Sequence, residues 1–548
     1  MSSAGNPFVI VGTGRSSPSM KRDGTRYSAL KRGSGRRAGA GVPGTLRGGT
    51  CAVRRLMTTA APPAAASPGT DAARVLADQA GPDAWHRWFL VLAVPLGLTM
   101  AFLLPPAVSP DADRHLLRTD QIANGELIPA IDAEEQAYWQ PDACTGAAIV
   151  RIGWLVLAEG SRPAEAFEPV PCRPQAPRLI NNVASNSPVA YVPAVAGFEL
   201  GRIADARTAL WGARLGWLAA YVAMAWWAIR LAPVGKPFLF LVALLPTALS
   251  SAATWSADAV PTGLGLLVAA LVLRLRTEHP AGRSDVERRD PTSRLLMGLA
   301  ACIALLALAK NLYAPVSLVV LLVPADRFGS PRHRRLYVSA VVGTVLALSA
   351  AWWLAVVNRI RFIGAGGYID SGVAKGWILS HPWSFLRIVF RSLFGTRILL
   401  DHTAPGTVAW FRVGGENPTP PLLVQLPVLG LAVLAIASDR ARGAAATARS
   451  TFERFAPAVV VPTIFVAVTA LVCFGEAIAY APPLALDPNI EFIEGRFYLP
   501  VLPLVLLAVP LRRSSSDRAT GGRLLWLLPA SALALNAWYL LRIDQLYF

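Results

Sequence analysis

From Trp88 to Leu541 the chain returns repeatedly to apolar runs close to the roughly 20 residues an α-helix needs to cross a bilayer, a pattern few other folds tolerate. About eleven runs fit that length scale. They lie near residues 88–106, 208–229, 237–254, 258–275, 294–310, 312–325, 336–358, 419–438, 456–480, 496–511 and 523–541. The run at 312–325 is short, and Pro315 and Pro324 bracket it. A hydrophobic fraction of 54% against 16% charged residues excludes a string of soluble domains in 548 residues. The expected fold is therefore all-α, a polytopic transmembrane helical bundle.

The formal charge of +18 invites a nucleic-acid reading, but the basic residues do not interleave with aromatics on one face. They fall in an N-terminal tail and in short loops between apolar runs. With the N-terminus in the cytoplasm, the arginine-dense loops at 274–294, 327–335, 440–454 and 512–523 all fall inside, which is the positive-inside pattern. This predicts a multi-pass protein of the cell membrane with lipids as neighbours and no nucleic-acid partner.

Residues 1–84, rich in Gly, Ser, Ala, Pro and Arg, form a basic cytoplasmic tail with no apolar period, expected to be disordered. The tail is too polar for a signal peptide, and Met57 offers an internal start. Its Phe8–Gly14 stretch lacks the third glycine and the helix of a dinucleotide loop. Residues 85–548 form the transmembrane domain.

Two long external loops are expected, at 107–207 and 359–418. The first carries 13 acids against eight bases, a reversal of sign relative to the cytoplasmic loops that suits a divalent metal or a sugar acceptor. Within it, 147–157 and 189–203 read as interfacial helices, as does 383–400 in the second loop, where Arg387, Arg391 and Arg397 interrupt the apolar residues. Cys144 and Cys172 share the first loop, where an oxidising compartment lets them pair; the alternative is two separate thiols. No CxxC pair or histidine spacing indicates a zinc site.

Chemistry is most plausible where Ser109-Pro110-Asp111-Ala112-Asp113-Arg114-His115 leaves the first span. Ser109 as cap and Pro110 at the first position would start a helix with its acids against the dipole. That helix sets Asp111 and His115 one turn apart on one face and turns Asp113 elsewhere. A base at the end of a rigid span meets a lipid-linked headgroup, so Asp111 is the leading carboxylate. Asp258, Lys310, Tyr313 and Arg496 map to the same outer level and are candidate substrate-binding groups, with ordinary span-end charges as the plainer reading. Arg214, inside the second span, is a further substrate-binding candidate that either snorkels or reaches a buried partner. No cofactor is specified, although Asp111 and Asp258 together are the candidate ligands for a divalent metal.

The ordered set Pro110-Asp111 with His115 and Arg118, then Asn186-Ser-Pro188-Val-Ala-Tyr191-Val-Pro193, Ala213-Arg214-Leu215, Leu245-Pro246, Ser256-Ala-Asp258, Asn311-Leu-Tyr313 and Gly495-Arg496-Phe-Tyr498-Leu-Pro500 covers roughly 88–511. It resembles the bacterial membrane family catalogued as domain of unknown function 2142 and, more broadly, the glycosyltransferase-C superfamily. The resemblance implies a polyprenyl-phosphate-linked sugar as donor and an acidic motif in the first external loop. Ala112 stands where the family usually has a second acid, and Asp113, one place later, is the further catalytic candidate, able to substitute only where the backbone is not helical. The leading expectation is sugar transfer to an external glycan or lipid, with Asp111 as general base, His115 orienting it and cations receiving the leaving phosphate. A flippase or transporter of lipid-linked glycans, or a non-catalytic envelope-assembly protein, is the alternative.

Overall fold

The computed structural model describes residues 84–108, 111–132, 135–157, 165, 168, 170–172, 178–277, 285–360, 363–364, 367–368, 371–394, 430, 432–436, 451–479, 495–508 and 527–547. The basic tail up to residue 83, Ser109, Pro110 and Arg397 lie outside the described residues, as do the loops at 440–450 and 512–523.

The chain is predominantly helical. The helices that matter for the site are α1 (Trp85–Leu103), α2 (Ala112–Ala123), α3 (Ala143–Leu157), α4 (Val192–Arg202) and α5 (Ala206–Leu231). They continue as α6 (Lys236–Ala243), α7 (Pro246–Ala253), α8 (Ala259–Thr277), α9 (Asp285–Ala309) and α10 (Pro331–Ala355). After these come α11 (Ser371–Ser380), α12 (Pro382–Phe394), α13 (Thr451–Ala479) and α14 (Leu527–Tyr547). The all-helical expectation needs two amendments: the first loop holds a three-stranded antiparallel sheet of β1 (Ala130–Ile131), β2 (Ala137–Trp139) and β3 (Leu179–Ile180) in that order, and β4 (Ile363–Gly364) pairs antiparallel with β5 (Gly367–Tyr368). In the same loop, a disulfide between Cys144 and Cys172 ties the start of α3 to the segment leading to β3.

Five helical stretches are long and apolar enough to cross a membrane: Trp85–Leu103, Ala259–Thr277, Thr292–Ala309, Pro331–Arg359 and Phe455–Gly475. The pair α6 and α7, bent by 53°, brings the number to as many as six among the described residues. That is fewer than the eleven expected, and the reasons are local. The run at 237–254 breaks immediately before Pro246, whose ring and missing N–H interrupt a helix. Pro500 and Pro503 break the run at 496–511 into the 3₁₀ turns Gly495–Tyr498 and Leu502–Leu504 and the short helix Val505–Ala508. The helix α5 is 26 residues long but includes Arg207, Arg214 and Arg230. Most of 419–438 lies outside the described residues.

The short run at 312–325 becomes a 3₁₀ helix, Asn311–Leu322, of 12 residues. At about 2.0 Å per residue it reaches about 24 Å, where an α-helix of that length would reach about 18 Å. It thus joins the two ends of the bundle with few residues. Its neighbour α8 does the same with 19 residues and is buried almost throughout.

Hydrogen bonds define the two ends. At one, Arg276 donates to the Leu507 carbonyl at 2.7 Å, Arg327 to Leu275 at 2.8 Å and Arg334 to Leu321 at 3.1 Å. These residues follow the far ends of α8 and of the 3₁₀ helix. The opposite ends of both elements start at Asp258 and Lys310, so the arginine-rich end and the acidic candidates lie about one bilayer thickness apart.

Close backbone-on-backbone contacts fix the scaffold, and two of them bear on the site. Gly197 of α4 lies against Gly212 of α5 so closely that a Cβ on either would run into the partner's carbonyl. Gly265 of α8 meets the Pro500 carbonyl in the same way, which docks the Arg496–Pro500 segment onto the helix that begins beside Asp258. Neither approach is open to a residue with a side chain.

Candidate functional site

The turn between α7 and α8 presents Asp258. Thr254 Oγ1 donates to the Ser250 carbonyl at 2.8 Å, the Trp255 indole to Leu210 at 2.9 Å and Thr262 Oγ1 to the Asp258 carbonyl at 2.8 Å. The Asp258 carboxylate sits at the positive end of the α8 dipole, a favourable place for an acid. It is buried, and it receives two cations. Lys310, between α9 and the 3₁₀ helix, donates to Oδ1, and Arg496 Nε lies 3.5 Å from Oδ2. All three side chains are largely withdrawn from solvent, with 6% exposure at Asp258, 13% at Lys310 and 17% at Arg496.

Phe497 supports both cations through its ring face, with its centroid 5.2 Å from Lys310 Nζ and 5.4 Å from Arg496 Cζ. Its carbonyl takes the Tyr313 hydroxyl at 3.0 Å, and the Tyr498 hydroxyl lies 3.0 Å from Thr469 Oγ1. Tyr313, a substrate-binding candidate in the sequence, thus holds the Arg496 segment in place.

Across from this group stands the start of α2. The expected cap does not form as read: the helix begins at Ala112, and Asp111 is the N-cap residue in the left-handed region, φ 54° and ψ 30°. This conformation costs an L-residue on the order of 1 kcal/mol, and Asp tolerates it better than most. The Asp111 side chain makes no cap hydrogen bond, so the carboxylate is not consumed by the helix. It is half-buried, and burial, followed by the charge of Asp113, holds it above the usual carboxylate range, with Arg114, Arg496 and Lys310 pulling the other way.

Asp113 takes a different course. It pairs with Arg114 at 3.2 Å and packs at Gly153 of α3, while Arg114 also donates to Ile180 of β3 at 3.2 Å. The backbone is helical at Asp113, which rules out its standing in for a second acid beside Asp111.

One turn beyond Asp111, the amide of His115 donates to the Asp111 carbonyl at 2.8 Å. The His115 ring is buried, its Nδ1 lies 2.8 Å from the Tyr191 hydroxyl, and burial together with the nearby charge of Lys310 pushes its pKa down to about 3. His115 is neutral at any physiological pH. Tyr191 and Asn186, whose Nδ2 donates to the Tyr191 hydroxyl at 3.4 Å, complete this side of the site. Neither stood among the expected site residues, although both lie in the Asn186–Pro193 motif, whose spacing was the signal.

Arg214 is not part of the cluster. It is fully buried and donates to the Ala253 carbonyl and, at 3.0 Å, to the Leu104 carbonyl, with Trp255 stacked at 4.7 Å. It staples the C-terminal ends of α7 and α1, the buried partners that one reading of the sequence expected of it. Arg118 works similarly in the loop, donating at 2.7 Å to both Gln121 and the Leu127 carbonyl.

Asp258, half of the metal pair read from the sequence, is engaged with cations. Both Asp258 oxygens face cations, and the described residues contain no group of three or more His, Cys, Asp or Glu able to hold an ion. What remains is one carboxylate, Asp111, facing a group of two cations and one acid with a net single positive charge. Such a group suits an oxyanion more than a second cation.

No curated protein and no solved structure matches the chain. The family model described as "Predicted membrane protein (DUF2142)" matches residues 95–505, a span that contains every residue of this cluster and none of the tail. The chain therefore belongs to the DUF2142 family of membrane proteins.

Proposed function

We propose that the chain is a membrane glycosyltransferase that moves a sugar from a polyprenyl-phosphate donor to an extracytoplasmic glycan or lipid acceptor. The observation that carries this reading is the convergence of Asp111 and His115 with the buried Asp258, Lys310 and Arg496 at the end of the bundle opposite the arginine staples. The positive-inside rule assigns the arginine-rich end to the cytoplasm and this end to the exterior. A disulfide in the first loop fits the same orientation.

In the proposed step the acceptor hydroxyl gives its proton to Asp111 as its oxygen attacks the anomeric carbon. The bond between that carbon and the phosphate oxygen breaks, and the electron pair leaves with the polyprenyl phosphate. Lys310 and Arg496, already held in place by Asp258, stabilise the charge that develops on the leaving oxygen. Elevation of the Asp111 carboxyl makes it a better base than a solvated aspartate. A glycosyltransferase-C-like fold is part of this proposal.

The test is transfer of radiolabelled sugar from a polyprenyl-phosphate donor in proteoliposomes containing the full chain. Wild type is expected to form a new glycosidic bond, and Asp111→Asn to lose about 10²-fold or more in rate while inserting normally. Full activity in Asp111→Asn removes the aspartate from the mechanism. Movement of the labelled lipid across the bilayer with no new bond replaces the transferase with a flippase.

A further inference from the structure

We propose that Tyr191 is a positioning residue that fixes His115 in its Nε2–H tautomer, so that His115 meets a phosphate oxygen as a hydrogen-bond donor and not as a base. Only the identity of that ligand rests on the transferase reading.

Tyr191 is fully buried, and its hydroxyl has two neighbours, His115 Nδ1 at 2.8 Å and Asn186 Nδ2 at 3.4 Å. Among the described residues no other polar group hydrogen-bonds it. An amide nitrogen only donates, so the phenolic proton has a single acceptor, His115 Nδ1. A ring nitrogen that accepts carries no proton, and the neutral imidazole then holds its one proton on Nε2. The opposite tautomer would leave a buried hydroxyl proton with no acceptor, an arrangement folded proteins avoid.

The geometry is held from several sides. The Trp217 indole donates to the Ala190 carbonyl at 2.8 Å, and its ring meets both Tyr191 and His115 edge-on, with centroids at 5.9 Å and 6.5 Å. Ser187 Oγ accepts the Val189 amide at 3.3 Å, and Arg118 reaches the Asn186 carbonyl at 3.4 Å. His115 retains 7% exposure, and its Nε2 hydrogen-bonds none of the described residues, which leaves it available to a ligand. Burial, with Lys310 and Arg496 close by, keeps a second proton off the ring. A neutral N–H beside two cations supplies a third donor to one anionic oxygen without adding charge.

The experiment is solution NMR of full-length protein in nanodiscs with ¹⁵N-labelled histidine. There are six histidines, and His115→Asn identifies the signals of His115. Wild type is expected to show an unprotonated Nδ1 and a protonated Nε2, and Tyr191→Phe, which keeps the ring, to move both toward the tautomer average. A protonated Nδ1 in wild type overturns the proposal, even where the variant fails to fold. Unmoved signals in a folded Tyr191→Phe overturn it as well. Addition of polyprenyl phosphate to the nanodiscs is expected to shift the Nε2 signal, and an unmoved signal removes the donor role.

In the transfer assay Tyr191→Phe is expected to lose roughly tenfold. Wild-type rates in that variant remove the positioning role. A fixed tautomer and a phosphate response in a protein that transfers no sugar leave this inference standing and sink the transferase.

Discussion

The two ends of the bundle use the same side chains for opposite purposes. At one end Arg276, Arg327 and Arg334 spend their guanidinium groups on backbone carbonyls where helices finish. At the other, Lys310 and Arg496 are bound to the Asp258 side chain and lie against Phe497, with Asp111 facing them. A cation on a carbonyl closes a helix end and is finished. A cation on a buried carboxylate is held in place yet keeps donors to offer a ligand, so the difference marks which end is built to bind.

The sharpest way to break that distinction is Asp258→Ala. It strands two mostly buried cations, and removal of one partner from a buried ion group costs about 3–5 kcal/mol. Thermal melts in detergent are expected to show a large loss, with transfer abolished. Lys310→Met made together with Asp258→Leu removes one ion pair whole and is expected to recover stability but no transfer. If the double variant transfers sugar, the ion group is scaffolding and the ends do not differ.

Arg214 tests the same contrast from inside the site end. Arg214→Met leaves the carbonyls of Ala253 and Leu104 without their donor. The expected loss of stability is about 1–3 kcal/mol, from the unmet buried acceptors. Because Arg214 only positions the turn before Asp258, the rate is expected to fall without a change in apparent affinity for the phosphate donor. A selective loss of affinity would return Arg214 to the binding group.

Asp120 shows what a buried acid outside the ion group does. It is fully buried in α2, accepts the Trp139 indole at 2.6 Å, and burial above all pushes its pKa up to about 6. A folded-state value above the unfolded one means that its contribution to stability is full below about pH 4 and is lost as pH rises through about 6. Asp120→Asn keeps an acceptor for the indole and is expected to gain about 1–3 kcal/mol near pH 7, with no gain at pH 4. A gain that is the same at both values would show that Asp120 titrates alike in the folded and unfolded states, with no elevation by burial.

These residues also show how far the sequence reaches. Apolar length and the arginine loops were enough to read a helical membrane protein, because lipid forces backbone bonds inside each segment. The residue types Asp111, His115, Asp258, Lys310 and Arg496 were legible for a related reason: a charge beside an apolar run is costly and needs a cause. Hidden were the events that depend on one residue's backbone. Pro246 broke a span, the 3₁₀ winding of Asn311–Leu322 stretched another, and Asp111 entered the left-handed region in place of a cap at Ser109. Hidden too were the partners. Arg214 and Tyr313 read as candidate binding groups, and which carbonyls their hydrogen bonds reach was not legible. Tyr191 looks like packing until it meets His115 from 76 positions away in the chain, with Asn186 donating to its hydroxyl.

The smallest expected effect is the most direct check on the two ends. Arg327 donates to the Leu275 carbonyl at 2.8 Å, where α8 finishes. Arg327→Ala removes one charged donor from a helix end and is expected to cost about 1 kcal/mol or less, with transfer unchanged. Arg496→Ala, at the other end, is expected to cost about 10²-fold or more in rate, because it withdraws a donor from the charge that forms on the leaving phosphate. Measured side by side in the same proteoliposomes, the two arginines separate a staple from a site. Equal losses in rate would mean that transfer depends on the integrity of the bundle as a whole, and the division between its ends would carry no chemistry.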